Sequence, residues 1–359
     1  MTKTVVAKTK VAVLGATGAV GQRFVQLLDG HPWFELAAVA ASERSAGRTY
    51  ADACSWKLDT PMPEAARSLV VQPAEPGLPG RVVFSALDAA VAGPVEEAFA
   101  AAGYAVLSNA RNHRMADDVP LLVPEVNPDH AGLIPVQRRR RGWKGFIATN
   151  PNCSTATLVL ALAPLERRFG IKAVAVTTLQ AISGAGYPGI PALDIVGNVV
   201  PFIAGEEEKI ERETRKILGA LAGDAVAPLA AVVSAQTTRV PVVDGHTAAV
   251  FVTLGTDPGV EAVREAFRTF RGTPQQRGLP SAPQHPVLMM EGDDRPQPRL
   301  DVNRERGMAS LVGRVRACPL MGYKFIVLGH NTIRGAAGAA ILNAELLQAD
   351  GYLASAGSD

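Results

Sequence analysis

Cys153 lies in Asn150-Pro151-Asn152-Cys153-Ser154-Thr155, a turn of Pro and Asn that opens directly into the apolar run Ala156-Thr157-Leu158-Val159-Leu160-Ala161-Leu162. A lone thiol is thereby placed where a loop meets a helix. Free N–H groups and the positive end of the helix dipole favour a thiolate there, and can bring a cysteine below its free pKa of about 8.5. The position suits a nucleophile; its competitor is a small buried hydrophobe, a common fate of a free cysteine. Two other segments could serve such a nucleophile. Thr238-Arg239-Val240-Pro241-Val242-Val243-Asp244-Gly245-His246 and the apolar run after it bring one arginine and one histidine near each other in the chain. Alone, that histidine reads as a core or surface residue; beside a thiolate it becomes an acid/base candidate. Val174-Ala175-Val176-Thr177-Thr178-Leu179 reads as a strand ending in Gln180-Ala181-Ile182-Ser183-Gly184-Ala185-Gly186-Tyr187-Pro188-Gly189. A polar side chain followed by a glycine loop lets a substrate approach the backbone closely, although a plain structural loop stays open.

These candidates need a scaffold, and the first part of the chain supplies one. Lys10-Val11-Ala12-Val13-Leu14 has strand length and character; Gly15-Ala16-Thr17-Gly18-Ala19-Val20-Gly21 and the helix-like Gln22-Arg23-Phe24-Val25-Gln26-Leu27-Leu28 follow at once. Strand, glycine turn and helix suit a pyrophosphate, because glycines admit close approach and a helix N-terminus offers N–H donors. The spacing is GxxGxxG and not the usual GxGxxG, so a turn without a ligand is the alternative. A second strand over residues 34–40 is followed by Ala41-Ser42-Glu43-Arg44-Ser45-Ala46-Gly47-Arg48. Serines and arginines suit the 2′-phosphate of NADP, while Glu43 argues the other way. Strands at residues 81–85 and 104–108, with an Ala-rich helix over 94–102 between them, complete a βαβ rhythm and imply a parallel sheet.

Composition excludes several classes. With 359 residues, 47% hydrophobic content and a net charge of +2, the chain has room for two cores and is no dedicated nucleic-acid binder. Cys54, Cys153 and Cys318 are scattered without a CxxC pair, which argues for a reducing compartment, read here as cytoplasm, and no metal is expected. The opening Met1-Thr2-Lys3-Thr4-Val5-Val6-Ala7-Lys8 carries no long apolar segment, and no run approaches the roughly 18 residues of a membrane span, so neither export nor membrane insertion is expected. Arg138-Arg139-Arg140-Arg141 reads as a solvated loop insertion, with an anionic partner as the alternative. Residues 73–80 and 272–286 read as loops.

Taken together, these motifs make the chain resemble the aspartate-semialdehyde dehydrogenase family nearly end to end. Residues 150–155 resemble its nucleophile motif, 180–186 its substrate loop, and 239–246 its arginine and histidine motif; residues 184–189 are similar to the archaeal and fungal branch. The resemblance implies Cys153 as nucleophile, His246 as general acid/base, Gln180 as an orienting group and Asn152 flanking the sulfur. It implies Arg239 for the substrate carboxylate, Arg114 and Lys209 for phosphate, with Arg111 as a competing register, and Glu207 for the substrate ammonium among the adjacent Glu206, Glu207 and Glu208. Cofactor contacts would fall on Gly15, Thr17, Gly18, Ala19, Val20, Ser42, Arg44, Ser45, Ser85, Leu87, Gly184 and Asn331.

The implied fold is α/β: a Rossmann-like doubly wound parallel sheet in an NADP-binding domain (residues 1–152 and 331–359), plus a second α+β catalytic and dimerisation domain (153–330), as in glyceraldehyde-3-phosphate dehydrogenase. The implied reaction is reversible reduction of 4-phospho-L-aspartate by NADPH to L-aspartate 4-semialdehyde and phosphate, through a thioester on Cys153, by a homodimer or homotetramer. Carboxylates resist hydride, whereas an acyl phosphate yields its acyl group to a thiolate. Malonyl-CoA reductase shares this Cys/His chemistry, and N-acetyl-glutamyl-phosphate reductase does so more distantly. A non-catalytic NADP-binding sensor is the alternative of another class.

Overall fold

The computed structural model describes residues 7–353. The readings of Met1 to Val6, and of 354–359 in the expected first domain, lie outside the described residues. The first sheet contains β1 (Thr9–Leu14), β2 (Phe34–Ala41), β3 (Gln72–Pro73), β4 (Val82–Ser85), β5 (Ala105–Ser108) and β6 (Phe146–Thr149), all parallel, in the order β3-β2-β1-β4-β5-β6. β4, β5 and β6 are buried at every position, as parallel strands covered on both faces must be. The strand order reverses between β1 and β4, which sets the glycine turn beside the residues after Ser85 in the crevice where such folds take ligands.

The second sheet runs β10-β7-β11-β14-β13-β12, from β7 (Ile171–Gln180), β10 (Val232–Arg239), β11 (His246–Leu254), β12 (Val287–Met289), β13 (Ser310–Cys318) and β14 (Gly322–Gly329); a hairpin of β8 (Ala220–Ala222) and β9 (Ala225–Ala227) stands apart. It is mixed, and β11 alternates buried and half-buried residues along its whole length. One face packs on the helix Cys153–Phe169, whose Leu158, Leu162 and Leu165 share a core with Val176, Val250 and Phe325. That helix leaves the first sheet at β6 and is buried along most of its length. The terminal helix Gly338–Ala349 returns to the first core through Ala340, Ile341, Ala344 and Leu347.

Between β14 and that terminal helix lies one turn of π-helix, Ile333–Ala337, a wide turn of the kind often found at functional sites. Arg334 anchors it in the interior by two bonds to Glu125, at 2.8 and 2.7 Å, with both side chains fully buried. Gly335 is thereby pressed against the nucleophile helix.

Three elements differ from the sequence reading, the first being a short helix, Thr273–Arg277, inside the stretch 272–286 read as a loop. The arginine run is no loop: it is the last turn of the helix Leu133–Arg141, closed by Gly142 in the left-handed conformation (φ 65°). Cations suit that end of a helix, and each finds a partner: Arg141 binds Asp118 at 2.6 and 2.8 Å, Arg139 and Arg140 reach Asp224, and Arg138 stacks over Phe146. The third is the Ala-rich helix, which spans Ala89–Ala101 and not 94–102. Asp88 caps it by accepting from the N–H of Ala90, so Pro94 sits inside the helix and costs one early backbone bond.

Candidate active site

Cys153 is the first residue of its helix, and Asn152 is the cap. The Asn152 Oδ1 accepts from the N–H groups of Ser154 (2.9 Å) and Thr155 (3.2 Å). These two donors, which the helix-start argument offers to a substrate oxyanion, are therefore already occupied. His246 opens β11 and brings Nε2 to 3.2 Å from the Cys153 Sγ. Its Nδ1 accepts from the N–H of Ala181 at 3.0 Å. That contact assigns the ring proton of the neutral imidazole to Nε2, so His246 points an N–H at the sulfur.

Burial works against the charge state expected from the helix terminus. Burial pushes the Cys153 thiol up to about 12, and the facing carboxylate of Glu206 adds to it; Arg114, Arg239 and the Ser154 N–H oppose without prevailing. Burial likewise drives His246 down to about 3, reinforced by Arg239 and His330. A second proton on the ring would also set an N–H at Nδ1 against the Ala181 N–H. Desolvation thus disfavours charge on both members of the resting pair, against what one helix end contributes.

Arg239 ends β10 in register with Gln180 at the end of β7, so both side chains leave the sheet at one edge. Both are buried. Arg239 donates through Nη1 to the Ala181 carbonyl at 2.8 Å, while its Nε has no partner among the described residues. Gly184 lies over this group: a Cβ there would stand 2.8 Å from Arg239 Nη1 and 2.9 Å from His246 Nε2. The glycine loop is therefore in contact with the catalytic side chains. Asn331 fastens it, donating to the Ser183 Oγ at 2.7 Å and accepting from the Gly245 N–H at 2.9 Å. Gly335 makes the opposite wall, with its Cβ position 2.6 Å from the Cys153 Cβ.

The helix Glu206–Ile217 closes another side. Glu206 is buried, accepts from the Asn152 Nδ2 at 2.6 Å and pairs with Lys209 at 3.0 Å. Glu207 turns away, accepting instead from Gln236 Nε2 and the Thr237 N–H, each at 3.0 Å. The assignment of Glu207 to the site is corrected accordingly: adjacent helical positions diverge by about 100°, and it is Glu206 that shares the stripe of Lys209. Arg114 is buried while Arg111 is exposed, which favours the Arg114 register. Arg114 donates to Glu213 Oε1 (2.9 Å) and to the Asn109 carbonyl (2.7 Å), and its Nε has no partner among the described residues. Glu213 also escaped the sequence reading; its spacing of seven from Glu206 was the available signal.

At the glycine turn the backbone is too tight for side chains. Gly15 has φ 72° and its Cβ position lies 2.5 Å from the Ala86 carbonyl; that of Gly21 lies 2.2 Å from the Gly15 carbonyl. Gly18, by contrast, is open and caps the helix Ala19–Leu28 without a side-chain bond, so Thr17, Ala19 and Val20 surround an uncapped helix end. That cradle fits a dinucleotide phosphate. Ser42 and Arg44 are exposed and Ser45 half-buried in the turn after β2, free to meet a further phosphate. Leu87 is half-buried after β4. Ser85 is fully buried at the end of β4, and its Oγ has no hydrogen-bond partner among the described residues. Among the described residues no cluster of three or more His, Cys, Asp or Glu could hold a metal, and no helix is long and apolar enough to cross a membrane.

Comparison with known proteins bears on this geometry. Residues 10–134 match the family model described as semialdehyde dehydrogenase, NAD binding domain, and residues 162–334 the one described as semialdehyde dehydrogenase, dimerisation domain. The aspartate-semialdehyde dehydrogenase of Methanothermobacter thermautotrophicus is 54% identical over 341 residues, covering 94% of this chain and 98% of that one. The Cryptococcus neoformans enzyme is 51% identical over 357 residues, covering 96% and 98%. The crystal structure of the Candida albicans aspartate semialdehyde dehydrogenase with NADP superposes with a TM-score of 0.89 at 46% identity, covering 96% of this chain and all of that one. A two-sheet α/β chain with a Cys/His pair between its sheets, matched at this identity over nearly its whole length, belongs to the aspartate-semialdehyde dehydrogenase family.

Proposed function

We propose that this chain reduces 4-phospho-L-aspartate with NADPH to L-aspartate 4-semialdehyde and inorganic phosphate, reversibly, on the route to lysine, threonine and methionine. The observation that carries the reading is the 3.2 Å Cys153–His246 contact flanked by two buried guanidiniums, Arg239 and Arg114, each with an unpartnered Nε. Two cations astride a nucleophile suit a substrate that is anionic at both ends. Arg239 takes the carboxylate as a planar fork and so sets the distance of the reacting carbon, with Gln180 beside it. Arg114 and Lys209 meet the phosphate. Glu206 takes the ammonium, a role that separates an amino-acid substrate from malonyl-CoA, which has none.

The Cys153 sulfur adds to the acyl carbon to give a tetrahedral oxyanion, and as this collapses the bond from that carbon to the phosphate oxygen breaks and phosphate leaves with the electron pair. The thiol, which burial keeps mostly protonated at rest, gives up its proton as the sulfur attacks, and that proton leaves with the departing phosphate as hydrogen phosphate. The Nε2–H of His246 donates to the oxyanion formed at each attack; this donor role suits an imidazole held neutral by burial and by Ala181. Bound across the glycine turn, with Ser42, Arg44 and Ser45 at its 2′-phosphate, NADPH supplies the hydride. Asn331 and Gly184 keep the substrate loop against the reacting groups.

A homo-oligomer completes the proposal. Leu179 and Val232 are exposed on the second sheet, and Tyr187, Leu193, Val196 and Phe202 on the segment beside it, an apolar surface that a second copy would cover. The activity is tested by incubating the protein with aspartate semialdehyde and NADP. NADPH formation that requires inorganic phosphate is the expected result; NADPH oxidation by malonyl-CoA with no response to aspartate semialdehyde would replace the reading.

A further inference from the structure

Glu206, Lys209, Glu213 and Lys216 follow one another at spacings of three, four and three along the helix Glu206–Ile217, which aligns them on one face. The first two belong to the site already described. Glu213 is buried and its two oxygens bind groups from different parts of the chain: Oε1 accepts from Arg114 Nη1 at 2.9 Å, and Oε2 from the N–H of Asn152 at 2.6 Å. One carboxylate of the second domain thus joins an arginine of the first domain to the residue that caps the nucleophile helix. Lys216 secures the same loop from behind, donating through Nζ to the carbonyls of Arg114 (2.8 Å), Ala116 (2.8 Å) and Val119 (3.0 Å).

Resting on the reading given above, we propose that Glu213 is a positioning residue that fixes the phosphate-binding guanidinium at a set distance from the nucleophile. An unrestrained arginine side chain has many rotamers, and ordering it costs free energy whenever phosphate binds. Glu213 at Nη1 and the Asn109 carbonyl at Nη2 settle that orientation in advance. The bond from Glu213 to Asn152 ties the same carboxylate to the turn that carries Cys153, so phosphate and thioester sites keep one spacing. A glutamine cannot replace it. Its single oxygen can accept from Asn152 or from Arg114, and its amide N–H groups then face the remaining donor.

The test is Glu213→Gln, assayed for phosphate-dependent NADPH formation from aspartate semialdehyde. The expected result is a fall in kcat/KM for phosphate of roughly ten- to hundredfold, with the KM for aspartate semialdehyde and the Kd for NADP changed by less than about twofold. In an Arg114→Ala background the same substitution should add no further loss of kcat/KM for phosphate, since there is no guanidinium left to aim. Equal losses in both backgrounds, or an unchanged phosphate response in Glu213→Gln, would overturn the inference. Should Glu213→Gln fail to bind NADP, Glu213→Asp keeps the charge with a shorter reach; it should weaken the phosphate response, and a phosphate response like the parent's would overturn the inference. A parent protein without any phosphate-dependent activity would instead remove the underlying functional reading.

Discussion

The Cys153 Sγ and the His246 Nε2 meet at 3.2 Å across 93 residues of chain. The meeting follows from packing: the helix that Cys153 opens lies along the second sheet, and its core residues interleave with those of β11, whose first residue is His246. Alignment of a helix start with a strand start is what turns two separate residues into a pair. Ala181 then chooses which ring nitrogen faces the sulfur.

The state of the thiol can be read by alkylation. Burial holds the Cys153 thiol well above its ordinary range, so only a small thiolate fraction is present near neutrality, and that fraction grows about tenfold per pH unit. Inactivation of the free protein by iodoacetamide should therefore accelerate steadily from pH 6.5 to 8.5. A rate that stays flat over this range would indicate a preformed thiolate and imidazolium.

The two adjacent glutamates make a paired test. Loss of the charge-assisted contact in Glu206→Gln should raise the KM for aspartate semialdehyde by about ten- to a hundredfold. Glu207→Gln, whose partners are Gln236 and Thr237 on the outer side, should alter it by less than about twofold. The reverse ranking would return the ammonium site to Glu207.

Two glycines form walls of the site. In Gly335→Ala the new methyl would stand 2.6 Å from the Cys153 Cβ, and in Gly184→Ala 2.8 Å from both Arg239 and His246. Either substitution should displace reacting groups by a fraction of an ångström or more and lower kcat by about 100-fold. In Gly335→Ala NADP affinity should persist, as that glycine does not belong to the turn that follows β1; kcat within twofold of the parent in either variant would contradict the packing described.

Acid should destabilise the fold early. Burial lowers the pKa of His246 to about 3 and of His330 to about 4, and also depresses His113 and His130. In the unfolded chain these groups take up protons near pH 6.5, which the folded protein does not do, so the unfolded state binds more protons and stability falls as pH drops below that value. Each such histidine contributes a slope of up to about 1.4 kcal/mol per pH unit between its unfolded and folded values. Urea midpoints should decline from pH 7 to pH 5; a constant midpoint would contradict the burial of these rings in neutral form.

Short-range signals carried much of the site. Cys153, Gln180, Arg239, His246 and the Gly15 turn all sit at element ends, where a run of apolar residues stops and a polar or glycine residue takes over. The choice between Glu206 and Glu207 was not legible in that way. In Glu206-Glu207-Glu208-Lys209-Ile210-Glu211-Arg212-Glu213 almost every position is charged, and the inward face depends on Gly205, which enters the helix at φ 64°. Glu213 was hidden for the same reason. The arginine run read as a loop because the apolar part of its helix is one turn long and the ion pairs that support the rest come from Asp118 and Asp224 elsewhere in the chain. The desolvation that opposes ionisation of Cys153 was not legible either, because it belongs to the tertiary surroundings and not to the local helix terminus.

The most direct test of covalent catalysis is the mass of the protein after brief mixing with 4-phospho-L-aspartate in the absence of NADPH. An aspartyl adduct should appear on the peptide bearing Cys153, and Cys153→Ser should show none while losing roughly 10⁴-fold or more in kcat and retaining NADP binding. Turnover by the parent without any adduct, or substantial turnover by Cys153→Ser, would contradict a thioester on Cys153.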